Sequence, residues 1–143
     1  MSATGLAVFD ETLQVTHIWL KDLMERLETG DRHRAYLALR TVLHALRDRL
    51  APDEAAHLSA QLPMLVRGFF FEGWRPSVTP THERRRDEFL YRVRRELPPD
   101  SDFDVEGAVI AVFELLAARV APGEIRKVAG ALPPEIRELW PGT

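Results

Sequence analysis

A chain of 143 residues, 45% of them apolar and 29% charged, has the makeup of one globular domain and is long enough to bury a sizeable core. It has no cysteine, which excludes a disulfide framework and thiolate chemistry and points to the cytosol. The net charge of -3 exerts no global pull toward nucleic acid or anionic lipid, Met-Ser-Ala-Thr-Gly lacks the basic start of a leader, and no apolar run approaches the roughly 20 residues of a membrane span.

In chain order the sequence reads as a run of helices. Asp10 is placed to cap a first helix carrying Leu13, Ile18, Leu20, Leu23, Met24 and Leu27 at helical spacing, with Gly30 as its stop. Asp31 caps a second, in which Ala35, Ala38, Leu39, Val42, Leu43, Ala45, Leu46 and Leu50 cover more than one stripe; such a helix is packed on two sides and should be central. Pro52 suits the first turn of a third helix, where its missing N–H would be unpaired anyway, and Pro63 opens a fourth through Phe69. The residues from Arg75 to His82, with two prolines and two threonines, read as a connector. Thr79 or Thr81 then caps a fifth helix that runs to Leu97 and ends before Pro98-Pro99. The acidic stretch Asp100 to Asp104 caps a sixth, again apolar on most sides from Val105 to Val120, and Pro122 and Pro133 start the last two. Nothing alternates with period two, so the expected fold is all-α.

The second half repeats the first at an offset of 70. Arg49-Leu50-Ala51-Pro52-Asp53-Glu54 aligns with Arg119-Val120-Ala121-Pro122-Gly123-Glu124, Leu62-Pro63 with Leu132-Pro133, and Arg67 with Arg137. The expectation is a single domain of about eight helices built from two pseudo-symmetric four-helix repeats, 10–74 and 82–140, joined by a connector at 75–81. The residues Arg49, Pro52, Glu54, Pro63, Arg119, Pro122, Glu124 and Pro133 are read as the structural repeat motif, each arginine meeting terminal carbonyls or the carboxylate of the following helix.

The run Leu39 to Leu50, followed by Ala60-Gln61-Leu62-Pro63 and by Arg67-Gly68-Phe69-Phe70-Phe71-Glu72-Gly73-Trp74, resembles the bacterial family catalogued as domain of unknown function 2267, over nearly the whole chain from Phe9 to Pro141. The resemblance implies a small helical bacterial protein. It carries no activity, cofactor or catalytic residue to transfer.

Three constellations bear on function. Three successive phenylalanines on a helix point about 100° apart, so one face cannot bury all of them easily; this makes Arg67, Phe70, Phe71, Trp74 and Arg75 the candidate partner-binding residues of an interaction or scaffold module, docking a protein partner or itself. Alternatively these rings cover the seam between the two units. The Arg-rich segment 84–95 could follow a phosphate backbone, but Arg84, Glu88, Arg92 and Glu96 stand four apart and are expected to pair along the surface. The five histidines lie on separate elements, so no catalytic, cofactor or metal residue is assigned; a small-molecule or metal site would need a pocket between the repeats, with His44 or Tyr36 on its wall.

Overall fold

The apolar periodicity resolves into eight α-helices, and no strand, among residues 2–99 and 101–142, the part of the chain that the computed structural model describes. They are α1 (Ala7–Leu27), α2 (Arg32–Arg49), α3 (Pro52–Ser59), α4 (Met64–Phe70), α5 (Arg86–Glu96), α6 (Val105–Arg119), α7 (Pro122–Gly130) and α8 (Pro134–Arg137), with one 3-10 turn at Pro76–Val78. The two helices that are apolar on most sides, α2 and α6, pack on each other, and α1 and α5 each lie against both. Leu39, Leu43 and Leu46 of α2 are fully enclosed, as are Val109, Val112, Phe113 and Leu116 of α6. Burial on this scale contributes about 1.5–3 kcal/mol per large side chain before chain entropy is set against it. Phe113 stacks on Trp140 with ring centroids 4.1 Å apart, so the C-terminal segment closes one end of the core.

Several boundaries recur at the sequence offset. The last residues of α2 and α6 are Arg49 and Arg119, the first residues of α3 and α7 are Pro52 and Pro122, and those of α4 and α8 are Met64 and Pro134, each pair 70 apart. Bonding recurs as well. Arg67 Nε donates to the Ser59 carbonyl at 2.9 Å and Nη2 to that of Leu62 at 3.0 Å; Arg137 Nε donates to Ala129 at 3.1 Å and Nη2 to Leu132 at 3.0 Å. A helix end leaves carbonyls unpaired, and here a guanidinium fork from the next helix satisfies them.

Other expectations need correcting. The first helix begins at Ala7 and not at a cap on Asp10, which sits in its first turn and takes hydrogen bonds from the Ser2 hydroxyl and from the N–H and hydroxyl of Thr4, so its carboxyl titrates below the usual range. That helix stops before Gly30, on Glu28 in a left-handed conformation (φ 56°). Neither Thr79 nor Thr81 caps the fifth helix: Glu88 reaches back to the N–H groups of Arg84 and Arg85, which pairs the donors and holds its own carboxyl below normal. Of the acidic stretch 100–104, Asp100 lies outside the described residues, and Asp104 is the cap of α6, accepting from the Gly107 N–H at 3.0 Å. Pro63 and Pro133 precede their helices by one residue instead of opening them.

Candidate functional site

The aromatic segment folds inward. Phe70 is fully enclosed, which removes it from any docking face, while Phe71 and Trp74 are half-buried and meet at a tilt of 42° with ring centroids 4.9 Å apart. Two polar side chains of α2 hold the end of α4 in place: His44 Nε2 bonds the Phe69 carbonyl at 2.6 Å, and Arg47 Nη1 donates to the carbonyls of Phe70 at 2.7 Å and Glu72 at 2.8 Å. Burial, followed by the nearby guanidinium groups of Arg47 and Arg40, lowers the His44 pKa from its ordinary value; only the Phe69 carbonyl and Asp48 act against this. Tyr36 meets Phe69 edge-on at 5.4 Å. Of the predicted partner-binding residues only Arg75 is exposed; Arg67 is turned back onto the carbonyls described above.

The expected ladder of surface pairs along 84–96 is replaced by bonds to the rest of the molecule. Arg92 pairs with Asp48 at 2.5 Å and with Glu83 at 3.4 Å, Arg86 with Glu106 at 2.5 Å, and Arg94 donates to the Pro98 and Ser101 carbonyls. Asp48 therefore serves Arg47 and Arg92, not His44. Arg84, Arg85 and Arg95 remain exposed.

The arginines of the repeat motif do not meet the carboxylates expected for them. Arg49 donates to the Thr81 carbonyl in the connector, whereas Arg119 donates to Asp22 of α1 at 2.9 Å, so the two find different partners. Glu54 accepts the Ala51 N–H at 2.9 Å, closing the start of α3. Its counterpart does not. The Ala121 N–H is taken at 2.8 Å by the Gln61 side chain, and Glu124, only 7% exposed, accepts no hydrogen bond; the Nδ1 of the exposed His57 lies 3.5 Å from it.

This leaves two features that stand apart from the folding framework. One is a cleft of about 480 Å³ between α3 and α7, walled by Asp53, Glu54 and His57 on one side and by Glu124, Lys127, Val128 and Ala131 on the other. Neither His44 nor Tyr36 lines it; His44 lines another cleft, of about 310 Å³, between α2, the Glu72-Gly73 turn and Arg92 and Glu96 of α5. The other is an apolar surface. Of the nine large apolar side chains exposed among the described residues, Leu6, Val8, Phe9, Val15, Ile18, Met64 and Leu65 belong to α1, its cap and the start of α4. The Leu65 N–H donates to Thr12 Oγ1 at 3.0 Å, which sets the two helices side by side there. Ile18, expected to face the core, is 45% exposed. The sequence did carry the signal, since Val8, Val15 and Ile18 form a stripe turned away from Trp19 and Leu23.

Among the described residues no helix is long and apolar enough to cross a membrane, and no three acidic or histidine side chains converge to hold a metal ion. No curated protein matches the chain. Residues 16–139 match the family described as an uncharacterized conserved protein, DUF2267, and the chain belongs to that family.

Proposed function

We propose that this chain, built as two related four-helix units over 10–74 and 82–140, is an interaction module of the bacterial cytosol that pairs with a second copy of itself through the outer surface of α1 and the start of α4. The observation that carries the reading is that seven of the nine exposed large apolar side chains among the described residues belong to α1, its cap and the start of α4. At 38–50% exposure each, these seven residues present on the order of 500 Å² of apolar area. A standard dimer interface takes about 800 Å² from each partner, and roughly 60% of it is apolar. The patch therefore supplies the apolar share of one complete interface.

Spacing supports a helix-to-helix pairing. Val8 and Val15 are seven apart and Ile18 three further on, the spacing of a coiled-coil seam, and a twofold axis across α1 lays that stripe on its own copy. Four of the seven residues, Leu6, Val8, Phe9 and Val15, precede the part of the chain that matches the family, so the pairing belongs to this chain and is not assigned to its relatives. The test is sedimentation of the purified chain beside Ile18→Glu and Val15→Glu. Dimers in the wild type and monomers of unchanged helix content in both variants are expected. A wild type that stays monomeric up to about 100 µM would overturn the reading.

A further inference from the structure

We infer that the cleft between α3 and α7 is a binding site for a small organic cation, a primary ammonium or guanidinium on a short aliphatic stem, with Glu124 as the group that receives its N–H donors. The site is independent of the α1 surface and of any pairing.

The inference begins with an imbalance in Glu124. Buried polar groups are nearly always hydrogen-bonded, and an ionised carboxylate has about four lone-pair positions to satisfy. The Glu124 side chain is only 6% exposed and accepts no hydrogen bond from the chain; its oxygens stay accessible, with His57 Nδ1 at 3.5 Å. Its sequence equivalent, Glu54, folds back onto the N–H of its own helix start, but Gln61 has taken that place before α7. Glu124, without that bond, lines the cleft. A group that donates several hydrogen bonds and carries positive charge completes it; a metal ion does not, because the surrounding acids do not converge.

The walls define the rest of the ligand. A volume of about 480 Å³ suits a molecule of a few to a dozen heavy atoms. Val128 and Ala131 offer an apolar face for methylene groups, and Asp53 at the rim adds a second negative charge where the far end of a short diamine would lie. His57 sits over Glu124 with a side chain 73% exposed, so it can move aside or, as a neutral ring, accept one of the ligand's N–H bonds. Lys127 lies on the same wall and disfavours a densely charged polyamine, which narrows the class to monoamines, short diamines and alkyl guanidines.

The experiment is a titration of the full chain, followed by amide NMR shifts, with 1,4-diaminobutane, butylamine and butylguanidine, and with butanol and sodium chloride as controls. Saturable shifts confined to α3 and α7 are expected for the three cations and not for the controls. Glu124→Gln keeps the shape and removes the charge, and should weaken binding by about tenfold or more. Asp53→Asn, at an exposed position, should weaken the diamine more than butylamine. Three outcomes would overturn the inference: no saturation by any of the cations, shifts spread over the acidic surface at large, or equal affinity in wild type and Glu124→Gln.

Discussion

Replacing Arg47 by alanine should be among the most damaging single changes outside the apolar core. Its side chain is 4% exposed and makes bonds in two directions, a forked pair to the neighbouring Asp48 and two to the carbonyls of Phe70 and Glu72. The alanine variant leaves two carbonyls at the end of α4 without a donor, one buried and one half-buried, at about 1–3 kcal/mol for a fully buried one and less for the other. Asp48 is not stranded, because Arg92 stays within 2.5 Å, so the penalty of an isolated buried charge is avoided. With the lost packing of the arginine stem, the sum is about 3–5 kcal/mol, a large part of the 5–15 kcal/mol available to a domain of this kind. Urea unfolding followed by circular dichroism should show the midpoint falling by about 2 M at unchanged slope. Arg47→Lys should recover only part of this, since one ammonium cannot reach both carbonyls and the carboxylate at once. Trp74 supplies a local reading: its indole resonance should shift in Arg47→Ala at low denaturant, where the core is intact. A loss below about 1 kcal/mol, with Trp74 unmoved, would mean that α4 is held by its apolar contacts alone and that the guanidinium is incidental.

Other consequences can be measured directly. Arg67→Ala and Arg137→Ala remove the same carbonyl fork at the ends of α3 and α7, and each should cost about 1–3 kcal/mol in denaturant unfolding, the two agreeing to within a factor of about two. Because burial lowers the His44 pKa below its ordinary 6.5, the folded state binds this proton less readily than the unfolded chain. The contribution of His44 is then fully present above pH 6.5 and is lost as the pH falls toward the depressed folded value, so wild-type stability should decline over that range more steeply than that of His44→Gln. Ile18→Glu, which abolishes pairing under the proposal above, should leave the urea midpoint of the isolated chain within about 0.5 kcal/mol, since it alters an exposed position.

The sequence makes the helices legible because their signals are local. Apolar spacing, the prolines at 52 and 122 and the caps at Asp31 and Asp104 each act within a few residues of where they stand. The end of α4 was not legible, since what holds it is a pair of side chains on α2, 25 residues away for both His44 with Phe69 and Arg47 with Glu72. Arg92 shows the same limit: a pattern of charges four apart is a correct reading of one helix in isolation, and it yields to Asp48, 44 residues earlier, once the helices pack. The three phenylalanines mislead for a related reason. They do point in different directions, but α4 is enclosed on more than one side and ends in a turn that brings Trp74 back over Phe71.

The cleft is the clearest case of a site hidden by likeness. Glu54 and Glu124 stand in the same local sequence and line the same cleft, and nothing within either motif predicts that only Glu54 will close a helix start. Where Glu54 takes the Ala51 N–H, the equivalent N–H at Ala121 goes to Gln61, 60 residues away. A test follows that touches no wall of the cleft. In Gln61→Ala the Ala121 N–H loses its acceptor, and Glu124, three residues further along as Glu54 is from Ala51, is the nearest group able to replace it. The carboxylate should then turn back to the helix start, the stability loss should be held to about 1 kcal/mol by that replacement, and affinity for butylamine should fall although every cleft residue is intact. Unchanged affinity in Gln61→Ala, alongside a weakened Glu124→Gln, would show that Glu124 points into the cleft for reasons of packing and that Gln61 does not set it there.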